Sequence, residues 1–167
     1  DDTFRTNVED IYAIGDVLGP THTMLAHAAA HEGEIAAENA LGSEKGTGHK
    51  LVPAGIFTHP EVAYVGCSEY EASQREWDVD TESMFYRELG KAQAASEIAG
   101  QIKIVFAKQS KKLLGVNIIG ARATELISEA TLAIQTGRDI REISGTIHPH
   151  PTFSEIIREV AQKAERR

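Results

Sequence analysis

The stretch Ile147-His148-Pro149-His150-Pro151-Thr152-Phe153-Ser154-Glu155 constrains the fold more than any other, because two prolines bracket a histidine just before a helical pattern begins. Each proline locks its own φ and steers the residue before it out of the α region. His148 and His150 are therefore expected on extended, stiffened backbone with aimed side chains. From Thr152 the pattern changes: Phe153, Ile156, Ile157, Val160, Ala161 and Ala164 recur at three- and four-residue spacing, the period of one helical face. A helix starting at Thr152 is predicted.

Two readings of Glu155 stand side by side. In a capping box, Thr152 bonds the Glu155 amide and Glu155 reaches back to the amide of the cap. Alternatively Glu155, one turn into the helix, holds His150 as an acid–base imidazole and fixes its tautomer. One carboxylate is expected to serve these two ends only in turn, by moving. His148 and His150 could also present both rings to a metal, but zinc needs three or four ligands and no Cys or Asp cluster stands nearby. No metal site is assigned.

The run HPHPTFSE resembles the HxHPTxxE signature of the dihydrolipoamide dehydrogenases, which are flavin-dependent pyridine nucleotide-disulfide oxidoreductases. The resemblance implies that His150 is the acid–base residue, Glu155 its orienting carboxylate, and Pro151 the proline after a cis peptide bond. A cis bond is also what a sharp turn from extended backbone into a Thr152 cap calls for, with the His150 ring still pointing outward. His148 falls on a motif position whose role the sequence leaves undefined.

Upstream, Asp10-Ile11-Tyr12-Ala13-Ile14-Gly15-Asp16 is a short apolar run expected to form a strand ending in Gly-Asp. Thr21 or Thr23 can then cap a helix through Met24, Leu25, Ala28, Ala29, Ile35, Ala36 and Asn39 to about Leu41, stopped by Gly42. A strand end, an acidic loop and a helix N-terminus suit an electron-rich ligand, and they equally describe an ordinary βα connection. The segments YAIGD, MLAH and HEGEIAAENALG are similar to the second flavin-binding segment of the same family. That resemblance implies Asp16 on the ribityl chain of FAD, the amides of Leu25, Ala26 and His27 at the flavin pyrimidine, and Met24 among the cofactor-binding residues.

Gly42 to Lys50 is polar and glycine-rich and reads as a linker, so domains are expected at 1–49 and 50–167. Beyond it, 51–57 and Val62–Gly66 read as short strands around His59-Pro60, within THPEVAYVG, a stretch that also resembles the family. His59 is given no catalytic role. Ser68 and Glu71 form an S-x-x-E box opening a helix to about Arg75. Val79–Tyr86, Gln101–Phe106 and Leu113–Ile119 have strand character, the last two joined as an antiparallel hairpin. Leu126, Ile127, Ala130, Ala133 and Ile134 mark a long helix ended by Gly137, and a short helix is expected over Asp139–Ile143. Strands first and helices after argue an α+β fold: an antiparallel sheet with helices on one face, an interface domain by resemblance, preceded by the last piece of an FAD-binding α/β domain.

Length, charge and cysteine count bound the function. A chain of 167 residues allows one domain and a fraction. A net charge of −8 argues against nucleic acid or an anionic membrane surface as partner. No apolar run reaches the length of a membrane span and no signal peptide is recognised, so the compartment reads as cytoplasmic. The opening Asp1-Asp2-Thr3 reads as a cut. Cys67 is the only cysteine, so the chain has no redox-active pair.

The resemblance therefore implies the last third of an enzyme that oxidises dihydrolipoyl groups of 2-oxoacid dehydrogenase complexes through a disulfide, FAD and NAD. It implies a homodimer whose interface this domain supplies, with the NAD site outside this chain. Two alternatives remain: a dimerisation module with no chemistry, or another member such as glutathione or mercuric reductase.

Overall fold

Ile102, Ile104 and Phe106 alternate with Lys103 and Val105, and in the computed structural model this period of two becomes a strand that buries Ile102, Ile104 and Phe106, with Val105 buried as well. The structure describes residues 1–20, 22–46 and 51–166. They gather into two compact units, Asp1–Val52 and Pro53–Arg167.

The second unit is built on five antiparallel strands: β1 (Ala54–Ile56), β2 (Val62–Gly66), β3 (Val79–Phe85), β4 (Gln101–Ala107) and β5 (Leu113–Ile119), in the order β1-β2-β5-β4-β3. The β4–β5 hairpin pairs Ile102 with Ile118 and Ile104 with Val116, and slips register at Val105/Phe106. Ala63, Val65, Met84, Ile102, Ile104, Val116 and Ile118 fill one face and are buried. The long helices α4 (Ala123–Gln135) and α6 (Glu155–Glu165) pack on the sheet, with α5 (Ile140–Gly145) against α6. From α4 come Ile127, Ala130 and Ala133, and from α6 Ile156, Ile157, Val160 and Ala164. Fully burying each isoleucine contributes about 1.5–3 kcal/mol, so the stripes of both helices anchor them to the sheet. This is the α+β architecture expected.

The local start signals behave as written in the sequence. Ser68 and Glu71 close a capping box on α2 (Glu69–Gln74), and Asp139 and Glu142 close another on α5. Between β3 and β4, where no element is predicted, Tyr86–Glu88 makes a 3-10 turn that leads into α3 (Gly90–Ala94). The start of α4 has a remote cap. Arg122 is left-handed (φ 63°), and Glu61 accepts from the Thr124 amide at 3.0 Å and the Thr124 hydroxyl at 2.7 Å. Those two bonds hold the Glu61 carboxyl below the ordinary range.

The first unit differs from expectation at two points. Residues 10–16 do not form a strand: Arg5 and Tyr12 make an isolated bridge, and Gly15–Leu18 coils into a 3-10 turn. The pairing is one bridge long: Thr6 donates to the Ile11 carbonyl and Ala13 to the Phe4 carbonyl on either side of it, and Gly15 then turns to φ 70°. The helix, α1 (Ala26–Ala40), starts later than a Thr23 cap would set, with Leu25 as the N-cap residue. Thr21 and part of the expected linker, 47–50, lie outside the described residues. Phe4, Ile35 and Ala36 make the core here, with Tyr12 and Leu18 against it.

Candidate active site

Between α5 and α6 the chain runs from Thr146 to Ser154 without helix, as the two prolines require. The His150–Pro151 bond is cis, and so is His59–Pro60, which the sequence reading did not foresee. His150 Nδ1 lies 2.8 Å from Glu155 Oε1. The same carboxylate's other oxygen, Oε2, accepts from the Thr152 amide at 2.8 Å.

The expectation that Glu155 serves its two partners in turn is therefore corrected: its two oxygens serve both at once. The helix also begins at Glu155 rather than Thr152. The Thr152 hydroxyl donates to the Pro149 carbonyl at 2.7 Å, which closes a turn before the helix can start. Glu155 thus sits at the first helical position, where the macrodipole favours an anion. Burial pushes its carboxyl up, but the Thr152 amide and His150 outweigh burial and hold it below the ordinary value.

Exposure separates the ends of this pair. The Glu155 side chain is 11% exposed and the His150 side chain 76%. With Nδ1 facing a carboxylate that only accepts, the ring's proton belongs on Nδ1, and Nε2 carries a lone pair. An imidazole so held can take a proton from a group arriving from outside. Phe153 packs beneath the turn, its ring 6.1 Å from that of the buried Tyr86.

His148 goes elsewhere. Its Nε2 lies 3.0 and 3.2 Å from the two oxygens of Glu129 on α4, and its Nδ1 lies 3.1 Å from the Thr146 carbonyl. The two histidines of the stretch therefore face different carboxylates. Among the described residues no group of three or more His, Cys, Asp or Glu gathers as a metal site would. Cys67 is half-buried, and burial, with Glu71 nearby, pushes its thiol up, away from the reactive thiolate.

In the first unit, Asp16 is exposed in the 3-10 turn, Met24 is exposed, and Leu25, Ala26 and His27 open α1. What places Asp16 was not read from the sequence: the fully buried Glu32 accepts from the Gly15 amide at 2.6 Å. Gly15 must be glycine, because its φ is 70° and a Cβ would meet that of Ala29 at 3.1 Å. The Leu25 amide donates to the Thr23 carbonyl at 3.0 Å. Leu25 itself offers α1 no side-chain acceptor, and no acidic residue occupies the first turn. These residues suit a flavin in part: Asp16 offers an exposed carboxylate that accepts from hydroxyl groups, and the start of α1 favours negative charge, whereas the Leu25 amide expected at the pyrimidine is bonded to Thr23.

Residues 52–161 match the family described as pyridine nucleotide-disulphide oxidoreductase, dimerisation domain. The chain belongs to this family. Among curated members it is 39% identical over 164 residues to dihydrolipoyl dehydrogenase 3 of Haloarcula marismortui, covering 98% of this chain and 34% of that protein. It is 44% identical over 153 residues to a dihydrolipoyl dehydrogenase of Buchnera aphidicola, covering 92% of this chain and 32% of that one. The chain thus spans about a third of the length of these disulphide oxidoreductases. Among solved structures, LpdA from Mycobacterium tuberculosis superposes with a TM-score of 0.87 at 30% identity, over 98% of this chain and 36% of that one. The flavoprotein disulfide reductase RclA of Escherichia coli superposes at 0.91 with 21% identity, over 97% and 37%, a likeness of fold. Among the described residues no helix is long and apolar enough to cross a membrane.

Proposed function

We propose that this chain is the His-Glu-bearing part of an NAD-dependent dihydrolipoyl dehydrogenase, with 1–49 the end of an FAD-binding domain and 50–167 its interface domain. The observation that carries the reading is the His150–Glu155 pair: Glu155, held by the Thr152 amide, faces Nδ1, and the exposed ring offers Nε2 to a thiol.

Thiolate, not thiol, is the nucleophile in thiol–disulfide exchange, so a base poised beside the incoming dithiol is what the first step needs. His150 Nε2 takes a proton from one thiol of a dihydrolipoyl group. Glu155 stabilises the imidazolium that results. The thiolate attacks one sulfur of a disulfide supplied from outside this chain, which holds a single cysteine, breaking that S–S bond and forming a mixed disulfide. The second dihydrolipoyl thiol, as thiolate, then displaces it, closing the lipoyl disulfide and leaving the attacked disulfide as a dithiol. FAD would supply the two-electron relay to NAD, and Asp16, Met24, Leu25, Ala26 and His27 are the residues of this chain that would hold it. The substrate is dihydrolipoamide, on 2-oxoacid dehydrogenase complexes, rather than glutathione or mercuric ion, because both histidines of HxHPTxxE stand at His148 and His150. The test is substrate choice in the intact enzyme. Dihydrolipoamide should reduce NAD, whereas turnover confined to glutathione or mercuric ion contradicts the assignment.

The protein works as a homodimer. The helix stripes are already covered within the second unit, which leaves the other face of the sheet. There Ile56, Val62, Ile119, Gln101 and Phe85 are paired into one row across five strands. Ile56, Ile119 and Phe85 are each more than 40% exposed, and Phe57 next to the row is 85% exposed. Such a patch suits burial against a second copy. Sedimentation should give twice the monomer mass, and Ile119→Lys should shift it toward monomer. A wild-type monomer mass independent of concentration is incompatible with this.

A further inference from the structure

We infer that His148 is a positioning residue: through Glu129 and the Thr146 carbonyl it ties down the extended span that carries His150, and so holds the His150 ring on Glu155. The inference rests on the reading of His150 and Glu155 as an acid–base pair.

The two histidines are one residue apart and have opposite environments. The His148 side chain is 5% exposed, against 76% for His150. A ring so enclosed cannot meet a thiol, which excludes it from the chemistry itself. Its contacts are all anchors. Nε2 reaches both oxygens of Glu129, on α4, a helix packed on β2 and β5. Nδ1 reaches the Thr146 carbonyl, the residue that ends α5. Both partners are acceptors placed to receive a ring N–H.

Without this clamp the span from Ile147 to Pro149 has little to hold it, since Ile147 is 91% exposed. On the far side, the turn is fastened by the Thr152 hydroxyl on the Pro149 carbonyl and by Glu155 on the Thr152 amide. The clamp and these bonds grip the backbone on either side of His150. A misplacement of about 1 Å in a reacting group can cost roughly a hundredfold in rate, so loosening one grip should be felt at His150 without touching substrate.

The experiment compares His148→Ala, Glu129→Ala, their double variant and Glu129→Gln in the intact enzyme. Each alanine variant is expected to lower kcat with dihydrolipoamide about 10- to 100-fold, with KM for NAD unchanged. The double variant should be no slower than the slower single one, because both remove the same clamp. Glu129→Gln, whose carbonyl still accepts from Nε2, should recover most of the rate. In the ¹⁵N-labelled 167-residue chain, the protected Nδ1–H signal of His150 should fade in both alanine variants and persist in Glu129→Gln. If His148→Ala does not fold, the Glu129 pair decides alone. Alanine variants with wild-type kcat and an unchanged His150 ring signal, alongside a strong loss in His150→Gln, overturn the positioning role and leave the acid–base pair standing. A lost ring signal together with turnover indifferent to His150→Gln supports the clamp and removes the acid–base pair.

Discussion

Replacing His150 by glutamine in the intact enzyme should slow dihydrolipoamide oxidation by roughly a hundred- to ten-thousand-fold, the range that loss of a general base implies. Flavin binding should be untouched, since the residues assigned to FAD lie in the first unit and His150 in the second. Glutamine keeps a polar side chain of similar reach but cannot take up a proton near neutral pH. The deficit should therefore fall on the thiol half-reaction and shrink when the dithiol is already ionised at high pH. A rate within a few-fold of wild type, measured by rapid mixing of oxidised enzyme with dihydrolipoamide, would end the assignment of His150.

The second large effect is on stability. Tyr86 is fully buried, packs its ring near Phe153, and donates its hydroxyl to the Ala121 carbonyl at 3.0 Å. Burial pushes the phenol pKa up, so the hydroxyl stays neutral and remains a donor. Removing a buried aromatic ring costs about 3–5 kcal/mol in transfer and cavity terms, and Tyr86→Ala should lose that much in denaturant unfolding. Tyr86→Phe deletes only the hydroxyl and should lose about 0.5–1.5 kcal/mol. Because Gly120 stacks against the same ring, with a hypothetical Cβ only 2.4 Å from it, the cavity has one wall of backbone that collapses poorly. Equal effects of the two substitutions would show that the ring does not anchor this end of the sheet.

The parts of the fold that were legible in the sequence are those written by local bonds and simple periods. Ile102, Ile104 and Phe106 announce β4 because a strand alternates, and Ser68 announces its helix because its capping box closes within four residues. The His150–Glu155 contact is likewise short-range, five residues apart along the chain. What escaped is long-range. Glu61 caps a helix 63 residues away, Glu32 holds an amide 17 residues before it, and Glu129 meets a histidine 19 residues later. A glutamate on a helix, like Glu32 and Glu129, or in the turn before a strand, like Glu61, reads the same whether it faces water or a partner, so no window of sequence distinguishes these three. The starts of α1 and α6 were set too early for a related reason. Threonine is a good cap in the abstract, but the Thr152 hydroxyl is bonded to Pro149, and Leu25 rather than Thr23 occupies the N-cap position.

The state of the His150 ring is the most direct measure of the acid–base pair, and ¹⁵N-detected NMR of the 167-residue chain reads it without turnover. With the ring neutral, the proton should reside on Nδ1, in slow exchange through Glu155, and Nε2 should show the shift of an unprotonated nitrogen. In Glu155→Gln the amide oxygen can serve Thr152 while its NH₂ faces Nδ1, so the tautomer should invert. A wild-type ring protonated on Nε2, or exchanging freely between both tautomers, would contradict the pair.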